Sequence, residues 1–143
     1  MKHGLVLVIA LLVGAAHAQG GGVAGQLAAA EATWKRAPLR SYEYTLHYAA
    51  FVVNAGCESQ TIWTRVVNGV VMRAVGCQSL RSDYSSVPLL FQFLRDTLAK
   101  HPDKVEVTFD ETLGYPVRVF VDPDANIADD EFHFEVTDFK VLR

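Results

Sequence analysis

Two β-rich runs, Gln60-Thr-Ile-Trp-Thr-Arg-Val-Val67 and Val70-Val-Met-Arg-Ala-Val75, flank Asn68-Gly69, and their reading decides the fold. Asn-Gly supplies the positive φ angles of a two-residue hairpin turn, so the two runs are antiparallel neighbours. Cys57 and Cys77 lie outside the two runs. Hairpin pairing brings that open end together, so a disulfide between them is expected, closing a loop of about twenty residues.

Working outward, Ser41 to Val53 alternates with period two, with Tyr42, Tyr44, Leu46 and Tyr48 on one side and Glu43, Thr45 and His47 on the other. That is a half-buried strand. Before it, Leu27, Ala30 and Trp34 recur at helical spacing from Gln26 to Arg36, and Pro38 closes the helix. After the hairpin, Ser82 to Ser86 is a polar loop rich in N-cap hydroxyls, and Pro88 suits a first helical turn. Leu90, Phe91, Leu94 and Leu98 carry a second helix to Lys100-His101, where Pro102 stops it. Lys104 to Phe109, Val117 to Val121 and Glu131 to Phe139 alternate as three more strands. A helix followed by three strands thus occurs twice. The expected architecture is α+β: a curved antiparallel sheet of about six strands, both helices on one face, and a more polar opposite face.

The chain opens with Lys2, an apolar run from Gly4 to Gly14, and Ala16-His17-Ala18. This is the pattern of a secretory signal peptide over residues 1–18, with the mature chain starting at Gln19. Residues 19–25 are glycine-rich and read as a flexible lead, leaving 26–143 as a single domain. No cysteine stands at the cleavage point to accept a lipid, and the signal's apolar run is too short to span a bilayer. Location in the periplasm or secretion follows as the expectation, where a disulfide is at home.

Lys and Arg number 13 against 16 Asp and Glu, a net charge of −3 that becomes −4 once Lys2 leaves with the signal. The basic side chains are scattered singly, so nucleic acid is not an expected partner. Gly-x-Ser-x-Gly, a phosphate-binding glycine loop and Cys-x-x-Cys are all missing. The three histidines of the mature chain, His47, His101 and His133, have no zinc-ligand spacing.

Between the last two strands, Asp122, Asp124, Asn126, Asp129, Asp130 and Glu131 fall within ten residues. Asp122, Asp124, Asn126, Asp129 and Asp130 are candidate ligands for a hard cation such as calcium. Asp-x-Asp-x-Asn begins like an EF-hand loop, but Ile127 replaces the turn glycine and His133 the bidentate carboxylate. The same residues equally suit a turn in which carboxylates accept backbone N–H groups. Salt bridges to Arg118, Arg65 or Arg73 would offset the adjacent charges of Asp129, Asp130 and Glu131.

Gly114-Tyr115-Pro116 reads as a turn entering a strand, with Tyr115 at its tip a candidate anchor for a protein partner. Tyr48 is the second candidate interface residue; the alternating Tyr42, Tyr44 and Tyr48 suit either the core or the floor of a shallow groove. Leu113-Gly114-Tyr115-Pro116, the Asp122 to Glu131 loop, Tyr42-Glu43-Tyr44, Cys57, Leu90-Phe91 and Val105-x-Val107-x-Phe109-Asp110 together resemble the domain-of-unknown-function family numbered 6174. The resemblance spans Trp34 to Phe139 and implies an exported lifestyle, but no reaction. Many members resemble lipoproteins, from which this chain departs. The functional expectation is an exported binding module for a protein or envelope component rather than an enzyme, with no cofactor. The alternative is a calcium-stabilised or metal-dependent protein built on the acidic loop.

Overall fold

The computed structural model describes residues 22–37, 39–50, 57 and 60–143. The expected signal peptide over residues 1–18 lies outside the described residues. Nine elements follow in order: α1 (Val23–Arg36), β1 (Tyr42–Ala50), β2 (Thr61–Val67), β3 (Val70–Gly76), α2 (Gln78–Tyr84), α3 (Val87–Ala99), β4 (Lys104–Phe109), β5 (Pro116–Asp122) and β6 (Phe132–Val141). One antiparallel sheet holds all six strands in the order β3-β2-β1-β6-β5-β4. The expected α+β plan, two meanders each preceded by helix, is the one observed. The meanders join where β1 meets β6.

Alternation sets which face is buried. Tyr42, Tyr44 and Leu46 of β1 point the same way as their cross-strand partners Val66, Thr64 and Ile62 of β2. Val119 and Val121 of β5 and Phe134 and Val136 of β6 continue that face, and Leu27, Ala30, Trp34, Leu90, Phe91 and Leu94 cover it from the helices. The opposite face carries Arg65 against Glu43 at 2.7 Å and Arg118 against Glu135 at 2.8 Å. His47 lies there too, its ring between the hydroxyls of Thr61 at 3.3 Å and Thr137 at 3.2 Å.

Among the described residues three helices form where two were expected. Gln78–Tyr84 is helical although only Leu80 and Tyr84 face the core, so its own pattern is too short to stand out. It is held by the sheet. The Tyr44 hydroxyl donates to the Tyr84 carbonyl at 2.6 Å, and the Thr64 hydroxyl donates to the Ser85 carbonyl at 2.7 Å. The Tyr42 hydroxyl accepts the Val87 N–H at 3.1 Å. Buried polar groups on the sheet thus supply the corner between α2 and α3 with partners it could not find internally. Ser86 is the N-cap of α3, accepting from the Leu89 N–H, with Pro88 in the first turn as expected. α1 starts at Val23, so the end of the glycine-rich lead is helical.

The Asn68-Gly69 turn has both residues at positive φ. Cys57 and Cys77 are bonded, Cα atoms 5.1 Å apart. Gly114 sits at φ +83 where a Cβ would collide with the Ala30 carbonyl of α1, so this turn needs glycine for its angle and for its closeness to the helix.

Candidate functional site

Tyr115 follows Gly114 into the core rather than into solvent. It is 9 % exposed and stacks on Phe139 with ring centroids 4.1 Å apart. Its placement as a loop-tip anchor is therefore corrected: the close approach of Gly114 to α1 turns the next side chain inward. Asp110 completes the turn by accepting the N–H groups of Thr112 at 3.0 Å and Leu113 at 2.7 Å.

Tyr48 lines a concavity. A cleft of about 340 Å³ opens where the last turn of α3 passes the end of the sheet, with Tyr48, Tyr84, Phe93 and Phe132 among its walls. These four rings form a closed circuit: Tyr48 to Tyr84 5.7 Å, Tyr84 to Phe93 5.0 Å, Phe93 to Phe132 5.8 Å and Phe132 to Tyr48 6.0 Å between centroids. Val121, Pro102 and Pro123 extend the apolar lining, and Thr97 and Lys100 give it polar atoms.

The cleft's polarity comes from hydroxyls. Tyr84 is 5 % exposed and Thr97 8 %, yet among the described residues neither hydroxyl has a hydrogen-bond partner; the Tyr84 carbonyl, not its hydroxyl, takes the Tyr44 bond. Burial holds the Tyr84 phenol far above its ordinary range, with the Tyr48 phenol and Asp83 adding to the shift. Burial also raises the Tyr48 phenol. Both hydroxyls stay protonated across physiological pH and can donate or accept.

Beside the cleft, the acidic loop divides into two parts. Asp124 is a turn former: its carboxylate accepts the Asn126 N–H and side-chain amide, each at 2.9 Å, and those bonds pull its pKa down. Asp103 closes the same turn by accepting the Ala125 N–H at 2.7 Å. Asp129 is exposed in the left-handed region at φ +68. The other part converges, with ligand oxygens of Asp122, Asp130 and Glu131 all within 4.8 Å of one another. Asp122 Oδ1 and Asp130 Oδ1 are shielded from solvent without a hydrogen-bond partner among the described residues. Desolvation, then Glu131 and Asp130, raise the Asp122 pKa.

Of the five expected ligands, Asp122 and Asp130 meet, while Asp124, Asn126 and Asp129 are spent on the turn or turned outward. Glu131 joins them instead. The expected Arg118 and Arg65 partners serve Glu135 and Glu43, two strand residues directly opposite them. Sequence reasoning missed Tyr84, Phe93 and Phe132 as a site because three separate elements carry them. One signal was present: Asp83-Tyr84, Asp96-Thr97, Pro102-Asp103, Asp122-Pro123-Asp124 and Glu131-Phe132 each set a carboxylate next to a cleft-lining residue.

No helix among the described residues is long and apolar enough to cross a membrane. No curated protein and no solved structure matches the chain. A family model described as a family of unknown function, DUF6174, matches residues 26–141, from the first turns of α1 to the end of β6. On that match over most of its length, the chain belongs to the DUF6174 family.

Proposed function

We propose that the protein is an exported binding module of the bacterial envelope that holds a small, largely apolar ligand in the cleft between α3 and the sheet end. The observation that carries this reading is a preformed concavity lined by four aromatic rings and by the nearly buried residues Tyr84 and Thr97, whose hydroxyls have no hydrogen-bond partner among the described residues. Apolar walls with a few fixed polar groups are the usual make-up of a small-molecule site. The Cys57–Cys77 bond supports an oxidising destination. Small aromatic probes of each charge, followed through the amide resonances of Thr97, Lys100 and Phe132, test the site. Shifts confined to those residues support it, and a panel without effect at millimolar concentration overturns it. Recovery from cells in the cytosolic fraction with both cysteines reduced would overturn export.

A second reading rests on the convergence of Asp122, Asp130 and Glu131 with two shielded, unpartnered oxygens. In it, a calcium ion takes these carboxylates and stabilises the β5–β6 connection. Millimolar calcium then raises the melting temperature against chelator, and Asp130→Asn abolishes the rise. Identical melting curves would remove this reading.

A further inference from the structure

We infer that the ligand class of the cleft is an organic cation with an apolar body, such as a substituted ammonium. The inference rests on the binding reading above and adds its charge. Aromatic faces present negative quadrupole charge, and a cation desolvated among several of them is bound more tightly than a neutral group of the same shape. Tyr48, Tyr84, Phe93 and Phe132 all line the cleft, their rings packed on one another in one circuit.

The surrounding charge points the same way. Asp83 and Asp96 stand next in the chain to the lining residues Tyr84 and Thr97, Asp103 next to Pro102, Asp122 and Asp124 on either side of Pro123, and Glu131 next to Phe132. Three further facts bear on the field: Asp130 converges with Asp122 and Glu131, the C-terminus of α3 lies at this end, with its C-cap Lys100 in the lining, and Arg118 is engaged elsewhere. Against these stand Lys100, which lines the cleft from an exposed position, and Lys104, paired with Glu106 at 2.9 Å. Carboxylates outnumber ammonium groups severalfold around the cleft although Lys100, not a carboxylate, stands in its lining, so it is the surrounding field that favours a cation and penalises an anion. The unpartnered Tyr84 and Thr97 oxygens accept an N–H where the cation carries one.

The test titrates the full chain with benzyltrimethylammonium, benzyl alcohol and phenylacetate at low ionic strength, followed by calorimetry and by the amide shifts of Thr97 and Phe132. The cation binds at least ten-fold tighter than the other two and loses several-fold in affinity in half-molar salt. Lys100→Gln tightens it. Asp122→Asn combined with Glu131→Gln weakens it, and Tyr48→Leu weakens the cation by a larger factor than it weakens benzyl alcohol. Benzyl alcohol or phenylacetate binding as tightly as the cation overturns the ligand class and leaves the cleft as the binding site. Failure of all three at millimolar concentration overturns both.

Discussion

Tyr44→Phe removes one oxygen from the centre of the molecule and should cost far more than its size suggests. Tyr44 is fully buried, and its hydroxyl is the donor to the Tyr84 carbonyl at 2.6 Å. Phenylalanine fills the same volume, so the hydrophobic contribution is unchanged and the loss is that of leaving a buried carbonyl without a partner, about 1–3 kcal/mol. With a urea dependence of roughly 1–3 kcal/mol per molar, the unfolding midpoint falls by on the order of 1 M. Thr64→Val strips the neighbouring Ser85 carbonyl of its 2.7 Å bond and should cost a similar amount. The double variant loses less than the sum, because one loosened corner admits water to both carbonyls. The alkaline limb supplies an independent arm. Tyr42 is pushed up to about 12 by burial, against the bond from Val87, and Tyr44 well above its ordinary 10.0 by burial. A raised phenol stabilises the fold below its unfolded pKa and loses that contribution as pH climbs through the folded value. Stability therefore drops above about pH 10, and Tyr44→Phe drops less steeply. Unchanged urea midpoints for Tyr44→Phe, or strict additivity with Thr64→Val, would refute the argument that the sheet holds the α2–α3 corner.

Tyr115→Ala removes a buried ring stacked on Phe139 and should destabilise by about 3–5 kcal/mol; a variant as stable as the parent in urea would return Tyr115 to the surface. Asp122→Asn should stabilise at about pH 7, since the raised Asp122 pKa means that ionisation opposes folding. The sign follows from linkage: the folded chain binds the Asp122 proton more tightly, so the gain vanishes below the ordinary carboxylate range near pH 4, and melting curves at the two pH values check it. Cys57→Ala opens the loop between Cys57 and Cys77 and should lower stability by roughly 3 kcal/mol, matched by reducing agent on the parent and without effect on the variant.

Local physics made much of this fold legible. Strand alternation from Tyr42 to Tyr48 and the Asn68-Gly69 turn identify neighbours that pair through a few residues of chain, and Ser86 and Pro88 mark where α3 begins. α2 was not legible because seven residues with two core contacts gain their stability from Tyr44 and Thr64, which are distant in sequence. Tyr115 was misplaced because nothing near Gly114 announces the approach of Ala30. The acidic loop was half legible: composition marked it as a turn or a ligand set, and it is divided between the two by whether each carboxylate finds a backbone N–H within two residues. The cleft required β1, α2, α3 and β6 to be assembled first.

The pairing of β1 with β6 has a consequence for how the chain reaches its native state. Tyr42 lies opposite Val141, so the seam in the middle of the sheet joins the first and the last of the six strands in chain order. Each meander forms from neighbouring residues, but until the final strand arrives both present a raw inner border, and closure across so long a loop is slow. Deleting Phe132–Val141 would therefore do more than remove one strand. It would separate the protein into two half-sheets, each with half a core.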